Sequence, residues 1–257
     1  MNLIDSHCHI FLEEFDEDRT EAIQRAIDLG VSTLILPNVD STTLPRLKEC
    51  CVLYPSTCKA LIGLHPTSVN AEYKNELAII EQELTLDANQ YIGIGEIGID
   101  LYWDKSFYTQ QVDAFLIQLK IAKTMNFPVV IHIRNSFDET FEALAKTGES
   151  TFNGIFHCFS GNLDQAKRAI DLGFKLGIGG VVTFKNGGLD KVVSEIDMKD
   201  IILETDSPYL APTPLRGKRN EPSYIIKVAQ KIAEIKCLDI EEVARITTEN
   251  CKTLFSI

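Results

Sequence analysis

Five histidines, His7, His9, His65, His132 and His157, are distributed along 257 residues. Each falls at or near the end of a short apolar run. Imidazole is the commonest transition-metal ligand and titrates near neutral pH. Asp5-Ser6-His7-Cys8-His9 contains an H-x-H pair. On extended backbone, residues i and i+2 project to the same side, so both rings can share one cation. The plainer alternative is a pair of polar residues at a strand-to-turn boundary. Cys8 points the other way and is expected to pack. Glu96 lies inside the apolar segment GIGEIG. A carboxylate there is costly unless it is paired or metal-bound. Its two oxygens can bridge two cations, with an ion pair to Arg134 as the alternative.

His132 ends PVVIHIR and His157 falls in GIFHCFSG. Each is the one polar inward candidate of its run, as a ligand or as a hydrogen-bonded core imidazole. Asp206, in ETDSP, can ligate a metal, take a proton from a water, or cap the turn before Pro208. Glu204, two residues earlier, suits a deeper position orienting a histidine from behind. The expected metal ligands are therefore His7, His9, Glu96, His132, His157 and Asp206, with Glu96 and Asp206 as the catalytic carboxylates. Two divalent ions are expected. Imidazole-rich sites suit Zn or Mn, whereas Mg prefers oxygen donors, so Mg, Mn and Zn all stand as candidates.

Substrate contacts are expected from His65, Arg134 and Arg219. His65 precedes Pro66 and reads equally well as a turn residue. Arg134, two positions after His132, shares its face, and its planar fork suits an anionic group. Arg219 belongs to the run 216–222, the strongest basic stretch of the chain, which otherwise reads as a solvated loop. Tyr102, Trp103 and Tyr209 are the aromatic candidates for stacking against bases. Gly177-x-Gly179-Gly180 offers close backbone approach to a substrate or, equally, close packing. Gly93-x-Gly95-x-x-Gly98 matches a dinucleotide fingerprint, but it lies within a strand and no helix opens promptly after it.

These groups need a scaffold that brings distant residues to one rim. Eight buried apolar runs read as parallel strands, near 3–9, 32–39, 59–65, 91–99, 127–134, 154–160, 174–182 and 200–207. Amphipathic helical segments lie between them, including 16–30, 107–126, 136–148, 162–173 and 221–238, and a last helix covers 239–255. Ser136 with Glu139 has capping-box spacing. Alternation of strand and helix implies a parallel sheet with helices outside it. Eight units imply a single α/β domain over 1–257, a (β/α)8 TIM barrel with an extra C-terminal helix; an open doubly wound sheet is the alternative. All strand C-termini of such a barrel open on one face, where active sites form.

Composition bounds the partners. Lys and Arg number 25 against 37 Asp and Glu, a net charge of −12. That argues against coating nucleic acid by bulk electrostatics and leaves room for cations. The seven cysteines are scattered, with no CxxC pair, which fits a reducing cytoplasm. The opening residues carry no basic and apolar signal pattern, and no run is long enough for a membrane span. A cytoplasmic monomer is the expectation.

The segments DSHCHI, GLHP, IGEIGIDLYWD, QVDAFLIQLKIAK, PVVIHIRN, FHCFSG, LETDSPYLAP and PLRGKRNEP occur in this order. Together they resemble the TatD family of metal-dependent deoxyribonucleases, within the wider amidohydrolase-type metal barrels. H-x-H alone marks only the wider group; EIGIDLYWD, HCFSG and ETDSPYLAP are more specific. The resemblance implies Mg2+-stimulated 3′-to-5′ trimming of DNA from single-stranded or damaged ends, and sometimes of RNA. Carried over by position, His7, His9, Glu96 and Asp206 would hold one ion, and Glu96, His132 and His157 the other. Glu96 stands where related amidohydrolases use a carbamylated lysine. The expected reaction is attack of a two-metal-activated water on a phosphodiester at a DNA end. An ester or amide hydrolase, such as a D-aminoacyl-tRNA deacylase, is the competing expectation, because the same ions would polarise a carbonyl.

Overall fold

The computed structural model describes residues 1–185 and 187–257. Its strands are β1 (Leu3–Asp5), β2 (Val31–Pro37), β3 (Cys58–Ile62), β4 (Tyr91–Asp100), β5 (Val129–Arg134), β6 (Gly154–Phe156), β7 (Phe174–Ile178) and β8 (Ile201–Leu203). They form one parallel eight-stranded sheet in sequence order. Helices alternate with them: α1 (Arg19–Asp28), α2 (Leu44–Leu53), α3 (Tyr73–Asp87), α4 (Tyr108–Met125), α5 (Phe137–Lys146), α6 (Leu163–Asp171), α7 (Leu189–Glu195) and α8 (Ile225–Lys236), followed by α9 (Ile240–Phe255). The sheet curls back on itself. Ser6 N donates to Leu203 O at 3.1 Å and Asp206 N to His7 O at 2.9 Å, joining the segments after β8 and β1. The architecture is a (β/α)8 TIM barrel, not an open doubly wound sheet.

Ile4, Ile35, Leu61, Val130, Ile155 and Ile202, each from a different strand, meet inside the barrel, and Cys251, Leu254 and Phe255 of α9 close its lower end. Alternation along each strand then decides what fills the upper end. One step up from Val130 comes His132, from Ile155 comes His157, and from Ile202 comes Glu204. Apolar side chains thus plug the bottom, and the chemistry-bearing ones share the C-terminal mouth.

Several strands end before their apolar runs do, and three of them are very short. β1, β6 and β8 have 3 residues each. The backbone leaves the ladder to aim the side chains that follow: Cys158 has φ 45° and Asp206 φ 56°, both left-handed. Gly98 is required where it stands. Its φ is +146°, and a Cβ there would lie 2.1 Å from His132 O, so β4 and β5 could not approach as they do. The capping box expected at Ser136 is absent. Ser136 Oγ donates instead to Ile99 O at 2.6 Å, and the box forms at Asn162 and Gln165 of α6.

Candidate metal centre

Glu96 is buried at the mouth end of the barrel, and its two carboxylate oxygens face two different sets of imidazoles. On one side, His7 Nε2 lies 3.1 Å and His9 Nε2 3.6 Å from Oε2. Asp206 Oδ1 lies 3.7 Å from both of those nitrogens, which are 3.2 Å apart. Four donors bound at about 2.0–2.1 Å around one tetrahedral cation stand roughly 3.3 Å from one another. The spacings among His7, His9 and Glu96, and from both imidazoles to Asp206, fall near that frame. The H-x-H pair therefore converges as its alternation implied, although the ladder ends at Asp5. A bridge between Cys8 and Ser207 replaces it, and Cys8 packs into the core.

On the other side, His157 Nε2 lies 2.7 Å and His132 Nδ1 2.9 Å from Glu96 Oε1. His65 Nε2 lies 3.3 Å from the same oxygen. His7 and His157 stack with ring centroids 3.8 Å apart, which ties the two sets together. Groups behind the imidazoles hold them. Asp100 Oδ2 accepts from His132 Nε2 at 2.9 Å, and Asp100 Oδ1 accepts from Tyr102 N at 2.8 Å and Trp103 N at 3.0 Å. Glu204 Oε1 accepts from Cys158 N at 2.6 Å and lies 3.6 Å from His157 Nδ1. Gly177 makes room for Glu204, since a Cβ there would meet Oε2 at 2.2 Å. Asp5 accepts from Thr205 N at 2.9 Å and Thr205 Oγ1 at 2.5 Å, pinning the segment that carries Asp206.

Burial dominates the electrostatics and charge partners redistribute it. Burial alone would push Glu96 up, but His157, His65 and His7 hold its carboxyl well below the usual range. Burial draws His9 down to about 4 and His7 well below its ordinary value. His157 runs the other way: against burial, Glu96 and Glu204 keep its proton on well above the usual pH. Asp100 and Glu96 likewise raise His132 against burial. Burial lifts Asp206 to about 7. In the cation-free protein, His132 and His157 therefore hold their protons more tightly than a free imidazole, and Asp206 holds its own up to about pH 7. A cation has to displace them.

Above this floor opens a cavity of about 710 Å³, whose wall includes His65, Trp103, Arg134 and Tyr209. Arg134 does not pair with Glu96. Its guanidinium stacks 4.0 Å from the Tyr102 ring centroid and 5.3 Å from that of Trp103. Arg219 is placed elsewhere. It grips Asp18 at 2.6 and 2.8 Å and Glu14 O at 2.7 Å, and Asn220 donates to Thr205 O and Tyr209 O. The basic run latches the loop after β8 to the chain's first helix. The glycine run at the end of β7 is likewise filled from within, Gly177 by Glu204 and Gly180 by Leu210 O. Gly93 and Gly95 face β5 inside the sheet, as a strand reading requires. Sequence reasoning passed over Asp100. Its position four residues beyond Glu96 on the same strand was the available signal.

The whole chain matches known proteins. The family model "TatD related DNase" covers residues 4–256. An uncharacterized metal-dependent hydrolase of Bacillus subtilis, YabD, is 40% identical, the match covering 99% of each chain. The crystal structure of YjjV, a TatD homologue from Escherichia coli, superposes with a TM-score of 0.91 at 29% identity, covering 99% of this chain and 98% of that one. A TatD family hydrolase from Entamoeba histolytica shares the fold, with a TM-score of 0.88 at 21% identity over 99% and 98% of the two chains.

Proposed function

Since this chain belongs to the TatD related DNase family, we propose that it is a metal-dependent hydrolase that cleaves phosphodiester bonds at DNA ends, in the 3′-to-5′ direction. The observation that carries this reading is the division of Glu96 between two donor sets. Oε2 faces His7 and His9, and Oε1 faces His132 and His157. His7, His9, Glu96 and Asp206 would hold one divalent ion, and Glu96, His132 and His157 a second. The donor set fits such ions: mixed imidazole and carboxylate with interatomic spacings of 2.7–3.7 Å. It favours Zn or Mn over Mg, which prefers oxygen. When bound, two such ions polarise a phosphoryl group and make water nucleophilic at neutral pH.

The chain's own residues do the rest. Asp206, on the cavity wall 3.7 Å from His7 Nε2 and His9 Nε2, is placed to accept a proton from the attacking water. Arg134, held against the Tyr102 and Trp103 rings, offers its guanidinium to an anionic oxygen. Exposed Trp103 and Tyr209 on the cavity wall give bases a surface to stack on. The cavity is blind, because the barrel interior below it is filled by apolar side chains and α9. A blind pocket of this size accepts a chain end more readily than the middle of a duplex.

The test is a paired assay. Protein reconstituted with Zn, Mn or Mg is incubated with 5′-labelled single-stranded DNA and, separately, with D-aminoacyl-tRNA. A ladder shortening from the 3′ end is the expected result, abolished by Glu96→Ala with the fold retained. Intact DNA alongside released amino acid would replace this reading with the deacylase.

A further inference from the structure

Distance alone makes His65 a third histidine ligand on the Oε1 side of Glu96. Its Nε2 lies 3.3 Å from Glu96 Oε1 and 3.3 Å from His132 Nδ1, and the three residues form a compact donor group. The hydrogen bonds on the far sides of the two rings separate them. His132 turns Nε2 to the Asp100 carboxylate at 2.9 Å. A carboxylate accepts, so Nε2 carries a hydrogen, and once the ring is neutral it is the Nδ1 lone pair that faces a cation at Glu96. His65 is arranged in the opposite sense. It caps the tight turn 66–68 by accepting the Thr67 backbone N–H on Nδ1 at 3.1 Å. A backbone N–H can only donate, so Nδ1 must keep its lone pair. Neutral imidazole carries one hydrogen, which is then on Nε2. Thr67 Oγ1, 2.6 Å from Nδ1, completes that side, and His65 N is anchored to Val39 O at 2.8 Å.

We infer that His65 is not a metal ligand but a fixed N–H donor on the cavity wall, hydrogen-bonding the departing oxygen of the substrate. The Nε2–H points at the centre and has no lone pair to give a cation. Its place follows from the reading of the site as a hydrolase, on which the inference rests. Asp206, the proton acceptor, lies with His7 and His9 at Oε2, whereas His65 lies with His132 at Oε1. In an in-line displacement the attacking and departing oxygens lie on opposite sides of the phosphorus. The departing oxygen therefore develops its charge on the His65 side. His65 keeps its proton throughout; the departing oxygen gains a hydrogen bond and takes its proton from water.

Two readouts need no turnover. Long-range 1H–15N correlation of 15N-histidine-labelled protein should show the Nε2–H tautomer for His65, both metal-free and loaded with zinc. Metal analysis of His65→Ala should give the same zinc equivalents as the wild type. A third uses whichever of DNA or D-aminoacyl-tRNA the wild type hydrolyses, so failure of the DNA reading leaves the test intact. There, kcat should fall about 10²-fold in His65→Ala, the loss typical of one removed donor. KM should change far less, and His65→Gln, which retains an N–H, should recover roughly tenfold. An Nδ1–H tautomer in the zinc-loaded protein, loss of one zinc equivalent, or an unchanged kcat in His65→Ala would each overturn the inference.

Discussion

Replacing Asp100 by Asn should weaken one metal position and leave the other unchanged. Asp100 is buried, and its two oxygens have separate duties. Oδ1 accepts Tyr102 N and Trp103 N, shaping the turn after β4, while Oδ2 accepts His132 Nε2 at 2.9 Å. Asn preserves the first duty through its carbonyl and reverses the second, setting an amide N–H against the imidazole N–H. The ring escapes this clash by moving its hydrogen to Nδ1, the atom 2.9 Å from Glu96 Oε1. Loss of such a supporting partner typically lowers metal affinity about 10–100-fold, which is about 1.4–2.8 kcal/mol. A competition titration of metal-free protein with zinc and a chromogenic chelator would resolve two binding events. The event assigned to Glu96, His132 and His157 should weaken by that factor, and the event assigned to His7, His9, Glu96 and Asp206 should stay within about twofold. Equal weakening of both events, or of neither, would refute the assignment of Asp100 as the group that orients His132.

Metal affinity should rise with pH through neutrality. Asp206 is lifted to about 7 by burial, and His157 and His132 are raised by Glu96, Glu204 and Asp100 against burial. A cation must displace those protons, so each one displaced costs up to about tenfold in apparent affinity per pH unit below its pKa; calorimetry in buffers of different ionisation enthalpy counts the protons released. Arg134→Ala should raise KM for DNA several-fold at unchanged metal content, whereas Arg219→Ala should leave kcat and KM unchanged and lower stability by about 1 kcal/mol, as a half-exposed ion pair with Asp18 implies. Phe255→Ala, which opens the plug beneath the barrel, should cost about 3 kcal/mol in urea unfolding with both metal equivalents retained.

Much of the site was legible because the barrel converts strand order into proximity. Once each histidine was placed at a strand's C-terminal end, one rim had to receive them all, and alternation from Val130, Ile155 and Ile202 delivers His132, His157 and Glu204. The legible part stops where the backbone leaves the ladder. Asp206 at φ 56° and the segment after Asp5 reach the centre through left-handed and irregular backbone, whose direction no periodicity encodes. Arg219 shows a second limit. A basic run in an acidic chain reads as an anion site, yet its partner, Asp18, lies 201 residues away. Helices α2, α3 and α7 drew no notice in the sequence, although α3 buries Tyr73, Leu77, Ile80 and Leu84 at helical spacing. Roles at second remove were least visible. Asp100 and Thr67 bear on the centre by fixing which nitrogen of a neighbouring ring carries hydrogen, and that depends on a hydrogen bond no spacing rule describes.

Anomalous scattering from a crystal of the zinc-loaded protein tests the central claim most directly. Two peaks about 3.5–4 Å apart, one on each side of the Glu96 carboxylate, are the predicted result, with His7, His9 and Asp206 around one and His132 and His157 around the other. A single peak, or a pair that Glu96 does not bridge, would contradict the account.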